Sequence, residues 1–147
     1  MDAMTIFRRC REAGADIEAL EARIRQRREA LTQVTQALDS TGGGRSPAGD
    51  RMGTVVAAIA DISARIEDRK QRQSVEIAAA CVLMDMLEEK YSNVLHLYYV
   101  KGLTVRAVAK RLRYSEGYTR KLKRDAEDAA RAISPEMVRE CVPDWYN

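Results

Sequence analysis

The sequence predicts an all-α protein: a long antiparallel helical hairpin of coiled-coil type, then a small helix-turn-helix domain. Two stretches carry apolar residues at alternating three- and four-residue spacing, the pattern of helices that bury one stripe against a neighbour. A glycine-rich segment separates them, and a strongly basic stretch of two short amphipathic helices follows. Charged residues make up 32% of the chain and aromatics 5%, and alternating β-branched or aromatic runs are absent, so no sheet is expected.

The first helix covers roughly residues 4 to 38. Its seam runs through Ile17, Leu20, Ile24, Leu31, Val34 and Leu38, and extends backward to Ile6, Cys10 and Ala13, with Arg27 the one polar member. Gly14 weakens this helix by about 1 kcal/mol relative to alanine. Residues 39–51, DSTGGGRSPAGDR, interrupt the pattern as a flexible connector. No Gly-Lys-Ser/Thr follows the three glycines, which argues against a phosphate cradle.

The second helix runs from about Met52 towards Leu87. Met52, Val55, Ile59, Ile62 and Ile66 repeat the spacing, the seam turns polar at Arg69 and Gln73, and it resumes at Ala80, Leu83 and Leu87. Pairing Leu38 with Met52, Leu31 with Ile59 and Ile24 with Ile66 gives a constant sum of residue numbers, 90, as an antiparallel hairpin requires. Such a hairpin, residues 1–88, would be on the order of 50 Å long. Cys10 then lies level with Ala80 and Cys81, as small apolar seam residues in preference to a redox pair. The polar patch from Arg65 to Gln73 reads as a solvated break or a docking point.

Residues 89–133 form the second domain. Val94, Leu95, Leu97 and Tyr98 make the apolar face of a helix that stops at Lys101-Gly102. Thr104 caps a helix through Leu112, and Ser115 caps the next, with Glu116 in its first turn. Ala109 provides the small position where two steeply crossed helices meet, and Val108, Leu112, Tyr114, Thr119 and Leu122 fill the wedge. Arg113 stands in the turn where glycine is usual, so it either adopts a left-handed conformation or reshapes the turn.

With Thr119, Leu122 and Ala126 inward, the last helix turns Glu116, Gly117, Arg120, Lys121 and Arg124 outward. The early residues of such a helix reach base edges in the major groove of DNA. Arg120 and Lys121 suit guanine, and Gly117 allows close approach. Lys110, Arg111, Arg113, Lys123 and Tyr118 are placed for phosphates. Charge supports this reading. Residues 101–124 hold nine cations and one acid, a net +8 in a chain of net +3, which leaves −5 for the rest. Positive charge concentrated on one small module is a footprint for a polyanion, and double-stranded DNA is the expected partner.

Other classes are poorly supported. No apolar run is long enough to span a membrane, and the N-terminus lacks a secretory signal pattern. Three dispersed cysteines suggest free thiols in a reducing, cytoplasmic setting. His96 has no ligand partner nearby in sequence and reads as a surface or capping residue. No acid–base cluster, metal spacing or phosphate loop is present, so neither an enzyme nor a cofactor is expected.

The segment YSNVLHLYYVKGLTVRAVAKRLRYSEGYTRKLKRDA resembles the C-terminal promoter-reading domain of bacterial sigma factors. It shares a Val-Leu-x-Leu-Tyr helix, Gly-Leu-Thr, Ala-Val-Ala-x-x-Leu and Tyr-Ser-x-x-x-Thr, over about a quarter of the chain. The whole layout, with its connector ending Asp50-Arg51-Met52, resembles small phage and prophage late-transcription regulators of Gram-positive bacteria. That resemblance implies sequence-specific DNA binding controlling phage genes, and it transfers Gly117, Arg120, Lys121 and Arg124. Thr119 replaces the usual valine and Arg113 the usual glycine. A complete sigma factor is not expected: strand melting uses aromatic platforms, and no aromatic lies between Arg8 and Lys90.

The tail, 134–147, opens with Ser134-Pro135 as a short helix start and ends with Trp145-Tyr146, expected to pack on the body. The leading expectation is a transcription regulator, a homo-oligomer through the hairpin, with RNA polymerase as a further partner. The alternatives are a small terminase-like packaging protein and a coiled-coil adaptor that binds RNA polymerase.

Overall fold

The computed structural model describes the backbone of residues 1–41 and 47–146 and the side chains of residues 1–37 and 50–146. The described residues are 87% helical, and no strand occurs among them. Two long helices, α1 (Ala3–Thr41) and α2 (Pro47–Asp85), precede four shorter ones: α3 (Glu89–Leu95), α4 (Val105–Leu112), α5 (Glu116–Arg131) and α6 (Pro135–Glu140). A π-helical turn, His96–Val100, extends α3, and a 3₁₀ turn, Asp144–Tyr146, ends the chain.

Asp2 starts α1: its carboxylate accepts from the Thr5 amide at 2.8 Å and the Thr5 hydroxyl at 2.7 Å. The long helices reach further into the connector than residues 39–51 suggest, to Thr41 and from Pro47. Proline is well tolerated in a first helical turn, where its missing N–H would have no partner. The rest of the connector, 42–46, and the Leu38 side chain lie outside the described residues.

The chain forms two compact units. One comprises Asp16–Lys70; the other joins Met1–Ala15 to Gln71–Asn147. This division cuts across the sequence boundary at 88/89, because the outer ends of α1 and α2 share a core with the short helices. In the first unit, α1 and α2 pack through Leu20, Ile24, Ile62 and Ile66, as the antiparallel register requires. Ion pairs flank this seam, Arg69 to Asp16 at 2.7 Å and Lys70 to Glu21 at 3.5 Å, so the polar patch is bridged between the two helices. Towards the tip, Leu31, Val34, Met52, Val55 and Ile59 are only half-buried, and Val56 is exposed.

In the second unit, Met4, Ile6 and Phe7 of α1 and Ala79, Ala80, Leu83 and Met84 of α2 pack with Leu95, Tyr99, Ala126, Ala130, Val138 and Tyr146. Cys10 is buried here as a free thiol, and that burial, with the charge of Glu76 and then Cys81 adding, pushes it up to about 11. A neutral thiol of this kind packs as a small apolar group. Glu76 is 2% exposed; one carboxylate oxygen accepts from the Tyr146 hydroxyl at 2.6 Å, and the other has no partner among the described residues. The tail therefore divides the expected pair: Tyr146 docks, whereas Trp145 stays 55% exposed.

Candidate nucleic-acid interface

The short helices pack around Val94, Val108 and Leu122, with Leu97, Leu103 and Leu112 at the margin. The helix before the motif differs from the expected regular α-helix. Its last five residues widen into a π turn, so Tyr99, five residues after Val94, points inward, and Tyr98 is only half-buried. The Tyr99 hydroxyl donates to Glu127 Oε1 at 2.8 Å. Burial and that bond raise the Tyr99 phenol above its ordinary range. Arg11 secures the turn from α1: its guanidinium donates to the carbonyls of Tyr98 and Leu103 and stacks 3.9 Å from the Tyr98 ring centroid. Gly102, at φ 71°, ends the turn where a side chain would be strained.

Each helix of the motif is capped as its sequence dictates. Thr104 Oγ1 accepts from the Ala107 amide at 3.2 Å, and Ser115 Oγ accepts from the Tyr118 amide at 3.1 Å. Arg113 takes the left-handed option, at φ 61° and ψ 42°, and the Tyr114 amide closes the turn onto the Ala109 carbonyl at 2.9 Å. Ala109 is buried at this close approach. Thr119 is fully buried, and its hydroxyl donates to the Ser115 carbonyl at 2.8 Å, which satisfies a polar atom where valine is usual.

Thr119, Leu122, Ala126 and Ala130 face the core, so the opposite face of α5 presents Gly117, Lys121 and Arg124 to solvent. A Cβ added at Gly117 meets nothing within 4 Å, so packing does not demand glycine there. It leaves the surface low beside two cations. Lys110, Arg111, Arg113, Lys121 and Arg124 are all exposed and make no ion pair among the described residues. Tyr118 is exposed and packs edge-on against Tyr114, with ring centroids 5.0 Å apart.

Three predicted site residues are already engaged. Arg120 lies 3.3 Å from Glu116, which also reaches Arg106 at 3.7 Å. Lys123 turns inward instead of out: it pairs with Glu127 at 2.7 Å and lies 4.4 Å from the Tyr98 ring centroid. The i,i+4 spacing of Glu116 to Arg120 and of Lys123 to Glu127 is a sequence signal for both bonds. His96 is half-buried on the π turn, and no metal-type cluster exists among the described residues. Among the described residues, no helix is long and apolar enough to cross a membrane.

No curated protein and no solved structure matches the chain. A family model does: the one described as Sigma-70, region 4, which matches residues 83–131. That span covers α3 to α5 and the end of α2, about a third of the chain, so the chain carries a helix-turn-helix domain similar to region 4 of sigma-70.

Proposed function

We propose that this protein is a sequence-specific double-stranded DNA-binding transcription regulator, and that α5 is its recognition helix. The observation that carries this reading is the uncompensated outward face: Gly117, Lys121 and Arg124 on α5, flanked by Lys110, Arg111 and Arg113. Caps and a buried Thr119–Leu122–Ala126 stripe fix that face by packing. Lys121 and Arg124 read base edges, with the low surface at Gly117 admitting the groove wall. The other three cations hold phosphates and set the register.

The phage or prophage setting rests on the layout of a coiled-coil hairpin before a sigma-like module. RNA polymerase fits as a partner because a region 4-like module locates DNA, and the stretch between Arg8 and Lys90, which holds no aromatic, offers no platform for opened strands. The half-buried tip of the hairpin, Leu31, Val34, Val55 and Ile59 beside exposed Val56, favours self-association there.

Selection of bound duplexes from a random pool, followed by a salt titration on the enriched sequence, tests the reading. Three to five phosphate-neutralising cations give a log-log slope between about −2.7 and −4.5 per module. Failure to enrich any sequence, or a slope near zero, would overturn it.

A further inference from the structure

Among the ten predicted contact residues, Glu116 is the one acid. It stands on the first turn of α5 and is shared between two guanidiniums, with Oε1 3.7 Å from Arg106 Nε and Oε2 3.3 Å from an Arg120 terminal nitrogen. Arg106 belongs to α4 and Arg120 to α5, so one carboxylate ties the two helices of the motif together. The side chains of Arg106 and Arg120 are 87% and 61% exposed, and that of Glu116 is 44% exposed, so all three can exchange partners with solvent or an incoming polyanion.

A carboxylate and a phosphodiester present the same kind of paired anionic oxygens to a guanidinium. Glu116 therefore occupies, in the free protein, donors that would otherwise seize any DNA backbone. We propose that Glu116 is a specificity determinant that acts as an internal competitor for phosphate, a role that rests on the DNA-binding reading above. Contact with random duplex must break these pairs and leaves a carboxylate facing phosphates. A matched sequence offsets this, because the carboxylate accepts from a cytosine N4 amino group while Arg120 turns to its own partner. Glu116 thus weakens binding everywhere except at sites that give it a donor.

The test compares Glu116→Gln with Asp61→Asn, an equal change in net charge at an exposed residue of α2. Each variant is measured by fluorescence anisotropy at 0.1 M salt on a random-sequence duplex and on the duplex selected by the wild-type chain. One neutralised phosphate contact is worth a factor of about 8 at that salt. Glu116→Gln should tighten random-duplex binding about 8-fold and selected-duplex binding less than about 2-fold, so discrimination falls at least about 4-fold. Asp61→Asn should shift both by less than about 2-fold, since it lies on neither helix of the motif and a general charge effect is damped by salt at 0.1 M. Equal tightening on both duplexes, or an equal effect of Asp61→Asn, would overturn the role of Glu116 while leaving DNA binding intact. Absence of any salt-dependent binding by the wild-type chain would remove the DNA-binding reading, and this role with it.

Discussion

Replacing Arg113 with glycine sets folding stability against DNA affinity at a single position. Arg113 closes the turn of the motif at φ 61°, the only non-glycine residue with positive φ among the described residues. A left-handed conformation costs an L-residue about 1–2 kcal/mol, and glycine avoids that cost. Glycine also gives up about 0.5–1 kcal/mol of chain entropy on folding. The net expectation for Arg113→Gly is stabilisation by about 0.5–1 kcal/mol. In a chain of this size that raises the melting temperature by about 1–4 °C. The same change deletes an exposed cation with no ion pair among the described residues, so it should reduce the salt slope by about 0.9 and weaken duplex binding about 8-fold at 0.1 M. Arg113→Ala separates the two effects. It removes the charge and keeps the Cβ, so DNA binding should fall equally while the melting temperature does not rise. Thermal unfolding by circular dichroism, paired with anisotropy titrations, reads both. A destabilised Arg113→Gly, or an Arg113→Ala equally stabilised, would refute left-handed strain as the source of the gain.

Thr119→Val should change stability by less than about 1 kcal/mol, because the Ser115 carbonyl keeps the Thr119 amide at 3.0 Å and nothing is orphaned. A loss above about 2 kcal/mol in urea unfolding would mean that the hydroxyl, and not the apolar volume, holds α5 in place. Tyr146→Phe should cost about 1–3 kcal/mol, since it leaves the buried Glu76 carboxylate without its donor. Combining it with Glu76→Met should recover most of that loss; a double variant as unstable as the sum of the two would refute the coupling.

The helix-turn-helix was legible because its signals are local. Thr104 and Ser115 sit one residue before their helices, and Thr119, Leu122 and Ala126 recur at helical spacing. The hairpin register was legible for a related reason: Ile24 can meet Ile66 only in one antiparallel alignment. Contacts between distant residues were not. Tyr146 finds Glu76 across seventy positions, and Arg11 finds the Tyr98 carbonyl across eighty-seven, and neither pairing leaves a periodic trace. Lys123 was misplaced for a different reason. A charge count treats every cation as available, whereas packing decided that this one faces Tyr98 and Glu127. The family similarity reaches residues 83–131, and the long helices before it had to be read from spacing alone.

The π turn at His96–Val100 holds one residue more than a regular helix would need. An α-helix advances about 100° per residue, so the wider turn absorbs that extra residue, and Tyr99, five residues after Val94, is buried where a regular helix would bury the fourth. Deleting one residue from the turn would let the helix relax to regular geometry while leaving Lys101 and Gly102 close to their present direction. The aim of the recognition helix is thus kept independent of one residue in the count before it.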